Sequence, residues 1–210
     1  MSLSTTLYSA FYRNRILIEV VAAAFFVTMT ISAVVAYVLL LTSPELVVGI
    51  EQLIGSTRSY VAIPPAYTSG LYQFIFLNNI GHFWNSARIW VWIPFAGAFS
   101  LGYELLLNAV VIGAVVAFTS ITRGVTYTLA GLAPHGLAEL PAFILEFAGL
   151  ARWHITMTRA IHSKLGGRKA DRPLLVEGVK DTIVLSFLSV GLFAVAATVE
   201  SYVTPRLLGL

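Results

Sequence analysis

His135, Glu139, Glu146 and Glu200 are the residues of this chain best placed to do chemistry. His135 and Glu139 are four residues apart, which on a helix puts them on one face, one turn apart. Glu146 follows Glu139 by seven residues, close to two turns, and nearly continues the stripe. An imidazole and a carboxylate at this spacing can hold a zinc ion when another helix adds a further ligand, since catalytic zinc typically keeps three protein ligands. Glu200 is the best source of that third ligand. The same residues suit two other roles, a polar packing network and a proton or ion relay, and Glu146 also reads as a structural buried acid or an oligomer contact. Spacing leaves these alternatives open.

The setting makes these groups conspicuous. The chain has 210 residues, of which 58% are hydrophobic and 11% charged. A soluble domain carries about 25% charged residues, so long apolar runs with less than half that charge predict an integral membrane protein. A charged side chain at the centre of a membrane helix costs about 2.5–3.5 kcal/mol on insertion scales, so such residues face a partner, a cavity or a function. The net charge of +3 forms no basic stripe interleaved with aromatics, which argues against nucleic-acid binding. The chain has no cysteine, which excludes disulfides and thiolate metal ligands. Gly-x-Ser-x-Gly, a phosphate-binding glycine loop and His-Glu-x-x-His are all missing, so the sequence leans away from an enzyme.

The elements that must position these side chains are helices. The fold class expected is all-α, a polytopic transmembrane bundle of about five spans forming a single membrane domain over residues 1–210. The first span is expected at Ile16–Leu41, too long for a signal-peptide core. Thr42-Ser43-Pro44-Glu45 is a helix start, with serine at the N-cap and proline at the first helical position. The segment after it, with Leu46, Val47, Ile50, Leu53 and Ile54 on one face and Glu51 and Gln52 on another, is a short amphipathic helix suited to the membrane surface. Residues 66–122 hold two spans, Leu71–Trp92 and Ala98–Phe118, divided near Pro94–Gly97. A competing division makes 71–80 a re-entrant half-helix. The second span places Asn78, His82 and Asn85 on one face, and the third places Ser100, Glu104 and Asn108 on one face. Residues 119–134 are expected to connect to a fourth helix, His135–Ile161, with Pro141 near its start. The fifth span is expected at Thr182–Val203. Tyr60, Tyr67, Tyr72, Trp84, Trp90, Trp92 and Trp153 read as anchors at the membrane interface.

Positive charge sets the orientation. Arg13 and Arg15 flank the first span, while Lys164, Arg168, Lys169 and Arg172 crowd the loop between the fourth and fifth. Both regions should be cytoplasmic, and four spans between them satisfy this, with the N-terminus inside. Antiparallel fourth and fifth helices would then bring the start of one, with His135, beside the end of the other, with Glu200, at the outer side.

The string Pro134-His135-Gly136-x-x-Glu139-Leu140-Pro141-Ala142, followed by Gly149-Leu150, resembles the stage II sporulation protein M family of multi-pass membrane proteins. Asn78-Asn79, the Asn108 helix with Gly113, and Ala196-Ala197-x-x-Glu200-x-x-Val203-Thr204-Pro205 occur in the family's order and extend the likeness over about residues 70–205. The chain departs from the family's Asn-Gly at Asn108-Ala109, and residues 81–97 carry more charge and aromatic side chains than the pattern. The resemblance implies that Asn79, Asn108, His135, Glu139 and Glu200 form one constellation. Metal ligands are expected at His135, Glu139 and Glu200, with Asn79, Asn108 and Glu146 lining the site. The family takes its name from a sporulation protein that works with two partners in a peptidoglycan-degrading membrane complex.

The functions that follow are, in order, a scaffold or assembly component of a membrane complex, a transporter or channel for an ion or small solute, and an intramembrane metalloenzyme. The cofactor expected is a divalent metal, zinc first. The partners expected are the lipid bilayer and either further copies of the chain or other membrane proteins, in the cell membrane.

Overall fold

The computed structural model describes residues 3–58, 63–167, 169 and 171–209. Tyr60 and Arg168 lie outside the described residues. Every regular element among them is helical: α1 (Leu3–Thr42), α2 (Pro44–Arg58), α3 (Ser69–Asn79), α4 (Gly81–Trp84), a 3₁₀ turn (Ile89–Trp92), α5 (Ala96–Thr122), α6 (Val125–Leu165), α7 (Arg172–Tyr202) and α8 (Thr204–Leu207).

Four of these helices, α1, α5, α6 and α7, are long and apolar enough to cross a membrane. The expected span Leu71–Trp92 is not one continuous helix. It is α3, α4 and the 3₁₀ turn, close to the competing half-helix division. The chain forms two compact units, one comprising Met1–Phe25, Ile80–Leu105 and Glu139–Phe193, the other Phe26–Asn79, Leu106–Ala138 and Ala194–Leu210. It passes from one unit to the other five times, four times within a long helix and once at Asn79–Ile80, between α3 and α4.

One boundary falls where the sequence puts it and two differ, each for a local reason. Between α1 and α2 only Ser43 is non-helical, because Pro44 has no N–H with which to continue the α1 ladder. The expected connector 119–134 shrinks to Arg123-Gly124, where Gly124 takes φ +89°, a left-handed turn that glycine enters without a Cβ penalty. α6 therefore begins ten residues before His135, and Pro134 and Pro141 both lie inside it. Helices in lipid keep such prolines where neighbouring groups satisfy the freed carbonyls. α7 starts at Arg172, where Leu174 N–H donates to the Asp171 carboxylate at 3.2 Å, an N-cap that a hydropathy boundary at Thr182 overlooks.

The core of the first unit is built from Val21, Val91, Leu101, Ile144, Leu145, Phe147, Ala148, Leu150 and Leu185. Its broken segment is held by side chains that satisfy its carbonyls. Trp92 Nε1 donates to the His82 carbonyl at 2.8 Å and Trp153 Nε1 to the Trp92 carbonyl at 2.9 Å, while His154 Nε2 lies 2.7 Å from the Val91 carbonyl. Non-helical backbone at membrane depth requires this burial in protein. Trp92 and Trp153, expected as interfacial anchors, hold this segment instead. In the second unit α1 and α5 touch backbone to backbone. Ser32 Oγ donates to the Val110 carbonyl at 2.7 Å, and a Cβ on Gly113 would overlap the Met29 carbonyl oxygen. Small residues permit such close helix contact in membranes.

Candidate functional site

In the second unit, the end of α7 and the Thr204-Pro205 start of α8 meet α6 near His135. The His135 ring is buried, and its Nδ1 lies 3.3 Å from Thr204 Oγ1. Glu139 stands on the following turn of the same helix, and Glu200 sits in the last turn of α7. Each of the three offers one ligand atom, and these atoms all lie within 4.8 Å of one another. Donor atoms around a tetrahedral zinc stand about 3.4 Å apart, from metal–ligand bonds near 2.1 Å. The three groups are therefore within side-chain adjustment of a common ion. Two carboxylates this close repel when both are ionised, which a cation or a shared proton relieves.

Of the other expected lining residues, Asn79 and Asn108 lie in the second unit with His135, and Glu146 does not. Asn79 ends α3 and Asn108 lies midway along α5, both partly buried in the second unit. Glu146 does not extend the stripe of Glu139 as a further wall. It belongs to the first unit, where its side chain is fully buried and its Oε1 lies 3.0 Å from His82 Nδ1. His82 Nε2 in turn lies 2.7 Å from Glu104 Oε2, so a single imidazole bridges two carboxylates. The His82 ring also stands edge-on to Phe147, with centroids 5.4 Å apart. The sequence signals for this cluster were the polar faces of residues 78–85 and 100–108. Helical spacing aligns His82 with the asparagines, whereas α3 ends at Asn79 and His82 belongs to α4.

Sequence reasoning missed a second cluster in the first unit. Asp181, wholly buried on α7, receives Arg13 at 2.5 Å, Asn14 Nδ2 at 2.9 Å and Arg152 at 3.6 Å, and Arg13 also reaches Glu177 at 2.7 Å. In the sequence Arg13 is an orientation signal. Asp181, next to the expected start of a span at Thr182, is its buried partner.

A bundle of long apolar helices with buried ionisable clusters defines a multi-pass helical membrane protein. The model of the Stage II sporulation protein M family matches residues 20–205, and the chain belongs to that family. It is similar to "Uncharacterized protein MJ0793" of Methanocaldococcus jannaschii, with 25% identity over 122 residues, which cover 56% of this chain and 66% of that protein. No solved structure matches the chain.

Proposed function

We propose that this protein is an assembly component of a membrane complex and that His135, Glu139 and Glu200 hold a divalent metal ion, zinc before others. The convergence of one imidazole and two carboxylates from α6 and α7 carries this reading. One nitrogen and two oxygen ligands form a donor set used by catalytic zinc sites, leaving a position for water or a partner's group. Thr204 against Nδ1 supports it by holding the ring, as groups outside the ligand set do at metal sites, and makes Nε2 the ligating nitrogen. Asn79 and Asn108, in the same unit as His135 and Glu200, are proposed to line the site. The assembly role is supported by family membership and by α1, whose most apolar stretch is only 11% buried within the chain, leaving a long surface for lipid or another protein.

Elemental analysis of protein purified without chelator tests the metal. Zinc stoichiometric with the chain is expected, falling to background in His135→Gln and Glu200→Gln; metal-free wild-type protein would overturn it. Co-purification from gently solubilised membranes tests the assembly role, and a lone monomer would count against it. A second reading, conduction of protons or a small cation, is favoured by the His82–Glu104–Glu146 run. Liposome flux lowered by Glu146→Gln would support it, and absence of flux would remove it.

A further inference from the structure

The end of α6 and the start of α7 enclose a cleft of about 400 Å³ in the first unit, remote in sequence from the His135 site. Arg152, Arg159 and His162 line it, with Ser163 as a hydroxyl donor and Asp171 as the one carboxylate, while the Thr156 hydroxyl donates to the Arg152 carbonyl at 2.8 Å. Arg152 and Arg159 are seven residues apart on α6, two turns along one face, so both guanidinium groups can serve one ligand. Arg152 forms an ion pair with Asp181 at 3.6 Å, beyond hydrogen-bond distance, and its buried Nε makes no hydrogen bond. Leu174 and Leu175 of α7 add an apolar wall. Two guanidinium forks beside the Ser163 hydroxyl suit phosphate oxygens, which arginine binds through paired N–H donors. The apolar wall suits an acyl chain. Lys164 in the last turn of α6, Lys169 in the loop and Arg172 at the start of α7 add positive charge here, which assigns this end to the cytoplasmic face. Anionic lipids concentrate on that face, and basic pockets between membrane helices bind their headgroups there.

We propose that this cleft binds the phosphate group of an anionic phospholipid headgroup. The full chain in neutral detergent is exposed to equal amounts of dioleoylphosphatidylglycerol and dioleoylphosphatidylcholine, and retained lipid is read by native mass spectrometry. Wild-type protein is expected to retain the phosphatidylglycerol in several-fold excess. Arg159→Gln should cut that preference about fivefold, the effect of one basic residue near a charged membrane surface, and His162→Gln should lower it too. Lys164→Gln removes the same charge from the last turn of α6, at a residue outside the cleft lining, and should leave the preference in place. A parallel melt with inorganic phosphate separates the sources. If phosphate stabilises the wild type but not Arg159→Gln while the two lipids are retained equally, the site is one for a free anion and the headgroup assignment falls. Equal retention without stabilisation by phosphate, or an equal loss in Lys164→Gln and Arg159→Gln, overturns the proposal.

Discussion

Replacing His82 by alanine should destabilise the first unit severely, and the size of the effect follows from three exposures. The side chains of His82, Glu146 and Glu104 are 3%, 1% and 18% exposed. His82 supplies the hydrogen bond to Glu146 Oε1, and Glu146 Oε2 makes none. His82→Ala therefore leaves a fully buried carboxyl group without its partner and takes from Glu104 its 2.7 Å contact. Breaking a buried pair by removing one member costs about 3–5 kcal/mol. At about 2–4 °C per kcal/mol for a chain of this size, the melting temperature should fall by about 6–20 °C. Glu146→Gln keeps an acceptor of the same shape and loses only the charge-assisted part of the bond, roughly 1 kcal/mol. Thermal unfolding in detergent, followed through the tryptophan fluorescence of Trp92 and Trp153 beside the cluster, measures each variant. A cycle combining His82→Ala with Glu146→Ala should return a coupling of about 1–3 kcal/mol, as for residues in direct contact. A His82→Ala protein that melts with the wild type, or strict additivity in the cycle, would refute the reasoning.

Three further outcomes are expected. Asp181→Ala, which removes the buried acceptor of Arg13, Asn14 and Arg152, should cost about 3 kcal/mol; an unchanged melting temperature would show the cluster to be energetically idle. Gly113→Val should lower stability by at least 1–3 kcal/mol, roughly the cost of overpacking, because its Cβ meets the Met29 carbonyl, whereas Gly136→Ala, with open space around it, should not; the two melting curves side by side are the check. Thr204→Val should weaken zinc binding about 10-fold or more, the usual effect of removing a group that orients a metal ligand, read by competition with a chelator of known affinity; unaltered affinity would remove Thr204 from the site.

Much of this molecule was legible in one dimension because the bilayer imposes one-dimensional rules. Apolar run length marks the spans, since backbone polar groups in lipid must be satisfied within a helix. The His135–Glu139 spacing places both on one face of whatever helix contains them. Glu200 could be matched to them because antiparallel neighbours bring the start of one helix beside the end of the next. The sequence places Pro141 inside the fourth helix, as it is, but leaves Pro134 in a connector, whereas α6 runs through both.

What the sequence determined by itself, then, was the membrane class, the long apolar helices, the family and the stripe that carries His135 and Glu139. Tertiary structure alone decided how Leu71–Trp92 is broken, because the break survives only where Trp92, Trp153 and His154 satisfy its carbonyls from positions up to 63 residues away. It alone decided that Glu146 answers to His82 and that Asp181 gathers Arg13, Asn14 and Arg152. Helical periodicity says which residues share a face. It does not say which face of another helix they meet, and a buried charge selects its partner by that meeting.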